Sequence, residues 1–123
     1  MIFNRSFEWA ESKERENIRK HGVYFKDAGL VFDDPYCLKR YDCKHSLSEN
    51  RYQLLGRVGR MLFVVYTLRK NKWIRIISAR LATKKERKIY YGQTDKIEIT
   101  GWRQAYQGTI TEDSCRGEKT NSF

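Results

Sequence analysis

Between positions 45 and 80 the chain carries His45, Glu49, Arg51, Arg57, Arg75 and Arg80. An arginine offers a planar fork of donors that fits phosphate or carboxylate bidentately and stays charged at any physiological pH. A histidine or carboxylate beside such cations can hold its deprotonated form and accept a proton. The combined chemistry is the anchoring of a phosphate and the movement of a proton next to it. Each residue also has a plainer use. His45 can bond to a neighbouring turn, and Glu49 can simply neutralise Arg51. Arg75 and Ile77 alternate on one side of an expected strand, Ile76 and Ser78 on the other. Parity then sets Arg80 opposite Arg75 unless the strand twists or ends first. On that reading one arginine meets phosphate and the other a backbone carbonyl or a protein partner.

The charge around these residues is uneven. Residues 1–50 hold nine Lys/Arg and nine Asp/Glu, whereas residues 51–91 hold twelve Lys/Arg and a single acid, Glu86. So many unbalanced cations repel one another unless a polyanion or an acidic partner is nearby. Tyr66, Trp73, Tyr90 and Tyr91 lie among them. Cations with flat aromatic surfaces suit RNA, in which phosphates are neutralised and unstacked bases are sandwiched. Trp73 is a candidate for such stacking, with burial in a core as its alternative. Lys84, Lys85, Arg87 and Lys88 form a basic cluster that reads either as a solvated helix face or as a contact for nucleic acid or an acidic partner.

A chain of 123 residues makes one domain with a modest core. A short strand over 7–9 and a helix over 10–21, stopped by Gly22, come first. A shorter helix over 25–31 ends at Asp33-Asp34-Pro35, since the residue before proline avoids the helical region. The period then changes. Strands are expected over 36–40, 51–58, 61–67 and 73–79, with a polar loop over 42–50 and short hairpins at 58–59 and 70–72. Thr83 and Glu86 form a capping box for a helix running to Tyr91. The fold class is α+β: N-terminal helices on an antiparallel β-meander, then a C-terminal helix. Residues 1–92 form the body and 93–123 a C-terminal extension, partly disordered beyond Thr111. Within the extension, 97–100 suits a short strand, and 102–106 suits docking on the body.

No apolar run approaches the ~20 residues of a membrane helix, and no secretion signal opens the chain. A cytoplasmic protein without membrane contact is expected. Cys37, Cys43 and Cys115 make no tight framework and suit a reducing compartment. Cys37, Cys43 and His45 match no common zinc spacing and lack a fourth ligand, so neither metal nor cofactor is expected.

Phe7-Glu8-Trp9, Asn17, Lys20-His21-Gly22-Val23 and Val31-Phe32-Asp33-Asp34-Pro35 together resemble the opening of the BrnT toxins. His45-Ser46, Glu49, Arg51, Gly56, Val64-Val65-Tyr66-Thr67 and Arg75-Ile76-Ile77-Ser78-Ala79-Arg80 are similar to the middle of that family, and Glu86, Arg87 and Tyr90 to its closing helix. The resemblance covers about residues 7–91. It implies a ribonuclease toxin of a type II toxin–antitoxin system, a fold similar to the RelE toxins, and a BrnA-like antitoxin that supplies the DNA contact. The chain departs from the family at Ala10, where an acid usually caps the first helix, a loss on the order of 1 kcal/mol.

RNA cleavage without a metal needs a base for the 2′-hydroxyl, cations for the phosphate and an acid for the leaving oxygen. Glu49 or His45 fits the base, Arg75 and Arg80 the phosphate clamp, and Tyr66 or His45 the acid. Arg51 and Arg57 would extend the clamp along the preceding strand, and Tyr66 could instead stack a base. Two other readings use the same residues differently: an RNA-binding domain without catalysis, and a RelE-fold toxin that inhibits a protein target such as gyrase.

Overall fold

The computed structural model describes residues 6–46, 48–70, 72–92 and 101–106. The chain begins with β1 (Phe7–Glu8), α1 (Glu11–His21) and α2 (Phe25–Leu30), the last running into a 3-10 turn at Val31–Asp33. Then follow β2 (Leu38–Tyr41), β3 (Arg51–Val58), β4 (Arg60–Leu68), β5 (Ile74–Leu81), α3 (Lys84–Tyr91) and β6 (Arg103–Gln104). The strand expected over 97–100 and the disorder expected past Thr111 fall outside the described residues.

The strands form one sheet in the order β1-β5-β4-β3-β2-β6. β3 to β5 make the expected antiparallel meander, and β2 extends it by pairing antiparallel with β3. β1 adds a parallel pairing to β5, with Glu8 opposite Arg75, so the sheet is mixed. Asn17 of α1 continues this edge. Its side-chain amide accepts from Ala79 N at 3.0 Å and donates to Ala79 O at 2.8 Å, supplying the bonds a neighbouring strand would give. β6 pairs with β2, and Trp102 beside it is buried.

Alternation divides the side chains between two cores. Leu54, Leu62, Val64, Tyr66, Ile74, Ile76 and Ala79 face α1 and α2, where Val23, Phe25, Ala28 and Phe32 complete the larger core. Leu55, Met61 and Phe63 face the other way and pack with Ala82, Tyr90 and Trp102. Thus α1 and α2 cover one face, and α3 covers part of the opposite face. Gly56 allows the 3-10 turn to come close: an added Cβ would lie 2.8 Å from a Val31 methyl carbon. α1 stops at Gly22 with φ 68°, a left-handed conformation that glycine adopts readily.

Cys37 is buried in the larger core. No described helix is long and apolar enough to cross a membrane.

Candidate active site on the uncovered face of the sheet

One irregularity in β5 sets the geometry of the site. Val65 pairs with Ser78 and Tyr66 with Ile76, so Ile77 has no partner in the register and forms a bulge. The bulge reverses side-chain parity halfway along the strand. Arg75, Ser78 and Arg80 therefore lie on one face, opposite Thr67, Val65 and Phe63 of β4. The parity expectation that Arg80 and Arg75 would point to opposite sides is corrected. They share the face that α1 and α2 leave uncovered.

Arg51 joins them. It pairs with Thr67, which pairs with Arg75. Two strand spacings separate Arg51 from Arg75, roughly 10 Å between backbones, close enough for two long side chains to reach a common ligand. Glu8 continues the row beyond Arg75. Its Oε2 lies 2.8 Å from Arg75 Nη1 and 3.4 Å from Arg69 Nε. On the other flank, Glu49 Oε1 lies 3.4 Å from Arg51 Nε. Each arginine of this row thus has a carboxylate that fixes its position and offsets part of its charge.

The loop after β2 brings in His45. Asp42 N donates to Arg51 O at 2.9 Å, and Ser46 Oγ accepts from Arg51 N at 2.9 Å, so the turn folds back on the start of β3. His45 Nδ1 lies 3.1 Å from both oxygens of the buried Asp42 carboxylate. His45, Glu49 and Arg51 are therefore neighbours at one end of the sheet. The sequence had suggested Glu49 and His45 as candidates but not Asp42 or Glu8. Asp42 stands three residues before His45, and that Asp-x-x-His spacing was the available signal.

Arg80 stands four residues along from the Thr67 row, roughly 13 Å away. Its guanidinium lies 4.0 Å above the Phe63 ring, and both terminal nitrogens donate to Glu86 at 2.9 Å. Burial alone would raise the Glu86 carboxyl. The hydrogen bonds from Arg80 and Thr83 and the Arg80 charge outweigh it and hold the group below its ordinary range. Glu86 also completes the capping box with Thr83, as the sequence implied. Arg75 and Arg80 cannot both grip a single phosphate. Their arrangement suits successive positions along a strand.

Other candidates are placed elsewhere. Tyr66 is 1% exposed on the helix-covered face, stacked on Tyr52 and packed edge-on against Phe32. The even-numbered residues of β4 face inward, so Tyr66 does not meet the arginines as acid or stacking surface. Arg57 shares a face with Arg51 but lies six residues further on, roughly 20 Å. Leu55, buried under the α3 side of the molecule, separates them. At that separation the two do not form one clamp; the Arg57 backbone N–H donates to Asp34 at 2.8 Å. Tyr90, one of the aromatics that suggested base contact, is buried and donates to Asp34 at 2.7 Å. Burial, then the bond to and charge of Asp34, raise its phenol far above the usual value.

Trp73 is 39% exposed rather than buried in the core. It precedes Ile74 in an extended segment, so alternation turns it toward the Arg75 side. Lys84, Lys85 and Arg87 lie exposed on α3, beside the Arg80–Glu86 fork, and Arg87 Nη1 donates to Ala82 O at 3.0 Å. Among the described residues no cluster of three or more His, Cys, Asp or Glu could hold a metal ion.

The arrangement is a cationic face with an imidazole–carboxylate pair at one end. A family model for the ribonuclease toxin BrnT of type II toxin–antitoxin systems matches residues 9–86. The crystal structure of the Brucella abortus ribonuclease toxin BrnT, at 1.1 Å resolution, is similar at 20% identity and a TM-score of 0.49, covering 66% of this chain and all of that one. No curated protein matches. With well over half its length inside the family model, this chain belongs to the BrnT ribonuclease toxins of type II toxin–antitoxin systems.

Proposed function

We propose that this chain is an endoribonuclease of RelE-like fold that cuts RNA without a metal, by attack of a ribose 2′-hydroxyl on the adjacent phosphate. The observation that carries the reading is the grouping of Arg51, Arg75 and Arg80 on one face with His45, Asp42 and Glu49 at its end. Arg51 and Arg75 would flank the reacting phosphate and stabilise charge building on its oxygens. His45 Nε2 and the Glu49 carboxylate would exchange the protons. One takes the 2′ proton and the other serves the leaving 5′-oxygen, the acid role that Tyr66 does not fill. Arg80 and the α3 cations Lys84, Lys85 and Arg87 would track the next phosphates, and Trp73 would offer a surface to a base.

The cationic face is also where an antitoxin belongs. A BrnA-like partner laying an acidic or amphipathic segment over it would exclude RNA by occupying the same charges. DNA would be reached only through that partner. Residues 1–92 would carry the activity, with residues 93–123 an extension outside it.

Purified protein incubated with total RNA in EDTA tests the proposal. The expected products carry cyclic phosphate and 5′-hydroxyl ends. RNA intact in EDTA but cut on adding magnesium removes the metal-free mechanism. RNA intact in both leaves binding without catalysis, which retained affinity after alanine substitution of His45 and Glu49 would confirm.

A further inference from the structure

We infer that Asp42 is the positioning residue of His45, deciding which ring nitrogen carries the proton and so which one meets substrate. The catalytic half of this inference rests on the cleavage reading above; the structural half stands without it. The Asp42 side chain is 6% exposed, while that of His45 is 64% exposed. The turn between them is pinned at both ends. Asp42 N donates to Arg51 O at 2.9 Å, and Ser46 Oγ donates to Asp42 O at 2.6 Å. Asp42 Oδ1 also accepts from His45 N at 3.3 Å, and both carboxylate oxygens lie 3.1 Å from Nδ1.

An ionised carboxylate only accepts hydrogen bonds, so the nitrogen facing it must carry the hydrogen. The neutral imidazole then presents the Nε2 lone pair on its exposed side. That is the form a base needs. In the reaction the 2′-oxygen forms a bond to phosphorus as its proton passes to Nε2. The P–O5′ bond breaks, and the 5′-oxygen takes a proton from the acid partner or water. Asp42 faces the imidazolium formed in between and stabilises it, and His45 later returns its proton to solvent.

A plainer role for Asp42 is to hold the turn. Asp42→Asn separates the two. The amide oxygen still accepts from His45 N, but its NH2 group donates to Nδ1 and moves the ring proton to Nε2. RNA cleavage by Asp42→Asn should then lose kcat on the order of 10–100-fold with little change in KM, a smaller loss than in a fully buried triad because solvent reaches His45. The double variant with His45→Ala should fall no further than His45→Ala alone. Nitrogen-15 NMR of the ring, above its titration, should find the hydrogen on Nδ1 in the wild type and on Nε2 in Asp42→Asn. A wild-type ring protonated on Nε2, or an Asp42→Asn enzyme with unchanged kcat, overturns the inference. If the wild type cuts no RNA, the cleavage reading fails, while the wild-type spectrum alone still decides the positioning.

Discussion

Arg80 is held from three directions. Phe63 lies under its plane at 4.0 Å, Glu86 accepts from both terminal nitrogens at 2.9 Å, and Leu81 O accepts from Nη1 at 3.1 Å. The same Glu86 accepts from Thr83 N at 2.8 Å. One carboxylate therefore starts a helix and fixes an arginine. Because its native pKa is depressed, the stability it adds is fully present above its unfolded value near 4.5 and is lost as pH falls through the native value. Glu86→Gln keeps the shape but removes the charge. It should cost about 1 kcal/mol at pH 7, a modest figure because Arg80 is a third exposed and screened. Thermal melts of both proteins at pH 7 and pH 3 check this. The gap should close in acid, and an equal gap at both values would show that the charge is not what matters.

At the scale of elements, most of the fold was legible because hydrophobic period tracks burial. The sequence placed α1, α2, α3 and the meander close to their observed bounds. It missed what depends on partners distant in the chain. The parallel pairing of β1 needs only two residues, too few to leave a period. The bulge did leave a trace: apolar residues at 74, 76 and 79 break an even spacing, and the adjacent Ile76-Ile77 marks where. Read as a phase change, that break would have put Arg75 and Arg80 on one face. Asp42 went unread because a lone acid in a polar loop has no periodic signal. The loss of the first-helix cap was legible and is borne out: Ala10 is the N-cap of α1 and makes no side-chain bond there. Ala10→Asp would give the Ser12 amide an acceptor, the Lys13 amide being already bonded to Ala10 O at 3.0 Å, and place a negative charge at the positive end of the helix. It should stabilise the protein by about 1 kcal/mol and raise the melting temperature by a few degrees. An unchanged midpoint in calorimetry would mean that water already satisfies that amide equally well.

Over the whole molecule, folding redistributes the charge that looked so lopsided along the chain. Glu8, from the neutral first part, joins Arg69 and Arg75, and Glu49 joins Arg51. These pairs lower the repulsion within the sheet, yet the protein keeps a net charge of +10. Among the described residues, a further group of cations stands on α3, where Lys84, Lys85, Arg87 and Lys88 are all exposed. RNA lying across the face would meet oriented arginines at one end and the exposed α3 cations at the other. Its binding should therefore depend on the release of counterions. With about four phosphates contacted, the logarithm of affinity should fall with a slope near −3 against the logarithm of salt, a loss of about 50-fold over a fourfold rise. Neutralising Lys84 and Lys85 together should make the slope shallower by roughly one unit and leave the cleavage rate at saturating RNA intact, because α3 lies away from His45 and Arg51. Fluorescence titrations of a single-stranded RNA across salt concentrations measure both effects. A slope unmoved by the double substitution would take α3 out of the RNA path and leave its cations to the antitoxin alone.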